Sequence, residues 1–150
     1  MAKAERGAVS GSSGSGDDTG GTMSVPHHAS GARQARQRLA AELDRLVPAA
    51  LRSDAVAVAA ELLGNAVRHA APLPGNVIRF GWRVDTDANG TDVELRVSDG
   101  GSRKVPRERT PAPDSLHGRG LAIVAALARA WGVERDGTAQ VVWARLRHGS

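Results

Sequence analysis

Glu61-Leu62-Leu63-Gly64-Asn65-Ala66-Val67-Arg68-His69-Ala70 is the stretch on which the reading of this chain turns. It lies in a run that begins near Ser53, a good helix N-cap with Asp54 in the first turn, and stops before Pro72. At about 100° per residue, Asp54, Glu61, Asn65 and Arg68 fall in one narrow strip. Val56, Ala60, Leu63 and Val67 fall on the opposite side, with Leu62 and Ala66 widening the apolar arc. The arc is expected to pack on a sheet and to leave the strip at the edge of the core. There an Asn oxygen suits Mg²⁺, a hard ion that keeps waters and takes phosphate oxygens. A Glu one turn away suits a general base on a hydroxyl or water. The same strip also reads as the solvated face of an amphipathic helix, and these residues alone leave both readings open.

The flanks supply the rest. Upstream, Ala32, Ala35, Leu39, Leu43 and Leu46 recur at helical spacing and predict a helix over 30–46. Downstream, 76–84 alternates as a strand, Asp85 to Gly90 is turn chemistry with an Asn-Gly hairpin signal, and 92–98 is a second strand. That strand runs into Ser98-Asp99-Gly100-Gly101, which puts a carboxylate at a sheet edge and lets backbone approach a ligand closely. A carboxylate there can accept a hydrogen bond from an exocyclic amine such as that of adenine. A polar loop over 100–117 leads to Gly118-Arg119-Gly120, which opens an apolar helix over 121–131. Unpaired N–H groups and the positive helix end make such a start an anion site. Val133 to Arg135 and Gln140 to Leu146 form a last hairpin around Asp136-Gly137. Runs of adjacent strands beside separate helices predict an α+β, two-layer sandwich: a mixed, mostly antiparallel sheet with helices on one face.

In this order the three motifs resemble the N, G1 and G2 boxes of the GHKL (Bergerat-fold) ATP-binding family, which includes histidine kinases, gyrase and the anti-sigma-factor serine kinases. The resemblance covers about Ser30 to Leu146 and is closest to the serine kinases and their stand-alone actinobacterial relatives. It implies ATP and Mg²⁺ as cofactors, Glu61 as catalytic base and Asn65 as the Mg²⁺ ligand. Asp99 would hold the adenine amino group, with Gly101 shaping that pocket. Gly118, Arg119 and Gly120 would lie against the phosphates, Leu121 would start the helix behind them, and 102–117 would be the lid over ATP. Gly137-Thr138 with Val141-Val142-Trp143 resembles the last box of the family and makes Thr138 an adenine-side contact. Gln140 stands near a place where lysine is frequent. By the same resemblance the chain would be a serine/threonine protein kinase that phosphorylates an anti-sigma antagonist and binds a sigma factor, with room for a homodimer. The alternatives are a nucleotide-dependent interaction module without phosphotransfer and a detached histidine-kinase-like catalytic domain.

Composition sets the outer bounds. The 150 residues suffice for one domain, and the absence of cysteine excludes disulfides and thiolate metal sites. The net charge of +4 is carried mostly by scattered arginines, and aromatic residues are only 3%, which argues against direct nucleic-acid binding. No apolar run reaches the length of a membrane span, and a cytoplasmic location is expected. Residues 1–29, rich in Gly and Ser, read as a disordered tail, with Met23 an alternative start, and 30–147 as the ATP-binding domain. His27-His28 is a weak metal pattern, and Trp82, Trp131 and Trp143 read as packing residues.

Overall fold

The structure, a computed structural model, describes residues 18–101 and 121–148. Its first helix, α1, spans Ala29–Leu43. Gly31, Ala35, Leu39 and Leu43 are buried, one turn apart along a single face; Ala35, Leu39 and Leu43 are as the periodicity predicts, whereas Ala32 is only partly buried and Gly31 takes its place on the face, where a Cβ would strike Pro26 O. Leu46, expected to extend that face, lies beyond the helix and is 37% exposed. His28 caps the start: its Nδ1 accepts the backbone N–H of Ser30 at 3.0 Å. Such a cap satisfies one of the helix's orphan donors, so His28→Ala should cost about 1 kcal/mol in a denaturant titration.

The second helix, α2, spans Ala49–His69. It starts a turn before the Ser53 expected as its cap. Pro48 occupies the N-cap position without a side-chain hydrogen bond, and Ser53 is an exposed residue inside the helix. The physical reason is Leu51, which is 2% exposed: burying it draws the good helix formers Ala49 and Ala50 into the first turn.

Strands β2 (Val77–Asp87) and β3 (Gly90–Asp99) form an antiparallel hairpin closed by the Asp87–Gly90 pair. The turn residues are Ala88 and Asn89, with the Asn89 N–H held by Asp87 Oδ1 at 2.8 Å. The positive φ falls on Gly90, so Asn-Gly serves the hairpin one position later than a turn with both at its centre. Helix α3 spans Leu121–Leu127, followed by β4 (Ala130–Asp136) and β5 (Ala139–His148). Trp131, expected at the end of a longer helix, instead pairs with Ala144 inside β4, where a partly buried aromatic suits a pleated surface.

A further strand, β1 (Asp18–Pro26), lies in the segment expected to be a disordered tail. It pairs antiparallel with β2 over nine residues. Composition misled here because tertiary contacts supply what the strand lacks. Met23 and Val25 pair with Phe80 and Ile78, and the Trp82 indole lies so close over Gly21 that a Cβ there would strike the ring. The ordered domain therefore begins before residue 30.

The sheet order is β1-β2-β3-β5-β4, and every pairing among the described residues is antiparallel, so the mixed component expected from sequence is not seen in them. Ile78, Phe80, Trp82, Val93, Leu95, Val97, Ala144 and Leu146 form the inner face and bury against the helices. The opposite face carries solvated ion pairs such as Arg96–Glu134 at 2.9 Å. Among the described residues no helix is long and apolar enough to cross a membrane.

Candidate active site

The site grows from the place where α2 ends beside the end of β3. Ala71 donates its N–H to Gly101 O at 2.9 Å and accepts the Gly100 N–H at 2.7 Å. Two reciprocal bonds thus clamp the exit of the helix to the strand end. Gly100 has no room for a side chain, since a Cβ would run into Pro72 O. Gly101 adopts φ +94°, and a Cβ on it would stand 2.9 Å from Thr138 O. Both glycines of the Asp99-Gly100-Gly101 run are therefore needed for close backbone approach.

Asp99 follows Val93, Leu95 and Val97 on the alternating inner face of β3. The pleat that buries those apolar residues carries the carboxylate into the sandwich at 2% exposure. It is the only charged residue buried among those described. Its Oδ1 accepts the Gly101 N–H at 2.7 Å. Burial raises the Asp99 pKa above the ordinary carboxylate value, opposed by the Gly101 hydrogen bond and then by the charges of His27 and Arg135.

The raised pKa sets the sign of a stability effect. Between the ordinary value and the raised one, the folded state binds more protons than the unfolded state, so stability falls as pH rises through that window. Asp99→Asn removes the penalty. The variant without nucleotide should unfold at a temperature at or above that of the wild type at pH 7, and the difference should close below about pH 4. Paired thermal melts at the two pH values check this.

On α2 the buried residues are Leu51, Ala55, Val58, Ala59, Leu62, Leu63 and Ala66. The core-facing arc is thus rotated from the one expected, with Val56, Ala60 and Val67 only partly buried. On an ideal helix Asn65 stands about 80° and Glu61 about 120° from the middle of the buried arc. The polar strip consequently lies beside the core rather than opposite it, and both residues are half-buried. Among the described residues Asn65 Nδ2 is buried without a hydrogen-bond partner, and Oδ1 accepts from Arg68 Nη2 at a long 3.5 Å. Exchanging O and N by turning the amide over reproduces the same shape. Among the described residues the carboxamide is therefore committed to no strong partner.

The other expected site residues divide. Thr138 lies at the turn between β4 and β5, with its side chain exposed and its carbonyl against Gly101. Leu121 starts the described part of α3, and its side chain is buried in the core, so only its backbone is placed to meet a ligand. Gly118, Arg119, Gly120 and the lid lie outside the described residues.

Sequence reasoning missed His27. Its Nε2 lies 3.0 Å from Ala66 O and 2.9 Å from Ala70 O, at the last turn of α2. His28 serves as a helix cap, so the two rings are turned to different partners. No cluster of three or more His, Cys, Asp or Glu suited to a metal ion occurs among the described residues. A polar ring directly after a strand was the available signal, but its partners are backbone carbonyls about 40 residues away in sequence.

No curated protein matches this chain. A family model described as the histidine kinase-like ATPase domain matches residues 24–146, a span that takes in β1 from Ser24 as well as α1, α2, α3 and the whole β3 corner. That match, on an α+β sandwich with a buried aspartate ahead of tightly packed glycines, makes the chain a member of the histidine kinase-like ATPase domain family, of GHKL type, an ATP-binding fold.

Proposed function

We propose that this protein binds Mg-ATP in the corner between α2, Asp99 and Thr138 and transfers the γ-phosphoryl group to a serine or threonine of a protein antagonist of an anti-sigma factor. The observation that carries the nucleotide part is Asp99, a carboxylate buried at a strand end with one oxygen held by Gly101 N–H. Its raised pKa shows that burial disfavours the charged form, which an amine donor from adenine would relieve. Gly100 and Gly101 bring backbone close enough to form the walls of such a pocket.

Mg²⁺ would be held by the Asn65 side-chain oxygen, which among the described residues accepts only a long 3.5 Å contact from Arg68. When bound, the ion neutralises charge developing on the phosphate oxygens. Glu61, half-buried one turn before Asn65, would accept the proton of the substrate hydroxyl. As the serine Oγ–P bond forms, the bond from the γ-phosphorus to the bridging oxygen breaks, ADP leaves with that electron pair, and the proton stays on the Glu61 carboxylate. Most of the acceleration in such a reaction comes from positioning and charge stabilisation.

The restraint of a sigma factor rests on the likeness to the serine kinases read from sequence, as does a homodimer. Incubation of the protein with labelled ATP and candidate antagonists tests the transferase reading. Label on a serine or threonine supports it. ATP binding with no transfer to any antagonist would leave an interaction module, and label on a histidine or aspartate would point to a histidine-kinase-like catalytic domain.

A further inference from the structure

We infer that His27 is a positioning residue for the nucleotide corner: by donating from Nε2 to the carbonyls of Ala66 and Ala70, it locks the last turn of α2 against the Asp99–Gly101 corner. This rests on the proposed nucleotide site and deepens it. The last four carbonyls of a helix lack partners within the helix. Ala70 is the C-cap of α2, and its own N–H reaches Ala66 O only at 3.3 Å. His27 therefore supplies a donor where the helix ladder is long and about to end.

The neighbouring bonds give the contact its reach. The backbone N–H of His27 is fixed to Asn76 O at 3.0 Å, so the ring is anchored from the segment that leads into β2. One residue beyond Ala70, Ala71 makes the two reciprocal bonds to Gly100 and Gly101. Gly101 in turn donates to Asp99 Oδ1. A continuous hydrogen-bonded path thus runs from His27 through the end of α2 to the carboxylate. Asn65 precedes Ala66, the first of the two carbonyls, on the same helical turn.

The role demands a donor at this reach, not a particular ring. His27→Gln keeps an N–H donor of similar length, whereas His27→Leu fills the space without one. His28→Ala removes a helix cap elsewhere and serves as a control for general loss of stability. Two readouts are compared: Mg-ATP affinity by calorimetry and hydrogen exchange of the Gly101 amide by NMR. Loss of a buried hydrogen bond of this kind corresponds to about a 10-fold change in equilibrium. His27→Leu should weaken ATP about 10-fold and speed Gly101 exchange by a similar factor. His27→Gln should restore both, and His28→Ala should change neither.

Wild-type affinity and exchange in His27→Leu would overturn the inference, as would equal losses in His28→Ala. Should His27→Leu fail to fold, His27→Asn, whose donor falls about one methylene short of Gln, takes its place with the same expectations. If the wild type binds no ATP, the nucleotide reading fails on its own, and Gly101 exchange alone decides the role of His27.

Discussion

Glu61→Gln should reduce phosphoryl transfer by about 10²- to 10⁴-fold, the range expected when a positioned general base is lost. The same variant should bind Mg-ATP as the wild type does. The separation follows from where Glu61 stands. It lies on the strip of α2 beside the core, about 40° around the helix from Asn65 and one turn earlier. Among the described residues it makes no hydrogen bond or ion pair, so a neutral isostere disturbs no polar contact with them. A loss of affinity equal to the loss of rate would show instead that Glu61 supports the pocket. Single-turnover transfer at saturating ATP, measured beside calorimetric affinity, keeps the two effects apart.

Asp99→Asn should weaken Mg-ATP binding by about 10- to 100-fold, the equivalent of one hydrogen bond to a charged group. The geometry makes the substitution more severe than its size suggests. Oδ1 is occupied by the Gly101 N–H, so the oxygen of an asparagine must stay there. Its NH₂ group then takes the place of the second carboxylate oxygen and meets the adenine amine, donor against donor. The unliganded variant should nonetheless be as stable as the wild type or more so, because burial of the charged form is what Asp99 costs the fold. A residue that weakens the empty protein and strengthens the liganded one is more readily explained by ligand binding than by packing.

Much of this was legible in the sequence, and the failures have physical causes. The faces of β2 and β3 follow from strict alternation, and that alternation carries Asp99 to the inner side of the sheet. The α1 face was likewise written in residues four apart. The rotation of the α2 arc was not. Its core side is built partly from Ala55, Ala59 and Ala66, and alanine gives little contrast to any hydrophobic pattern. β1 was hidden for a related reason: its sequence holds two inward apolar residues and two glycines, and its stability comes from β2 and Trp82. The clamp between Ala71 and Gly100–Gly101 consists of backbone groups, which carry no residue signature. His27 was visible as a side chain, but its partners belong to a distant helix end.

A calorimetric titration of Mg-ATP into the wild type and into Asp99→Asn decides whether the buried carboxylate holds the nucleotide. Saturable one-site binding to the wild type is expected, with affinity about 10- to 100-fold lower in the variant. No binding to the folded wild type, or equal affinity in the two proteins, would rule out Asp99 as the adenine contact.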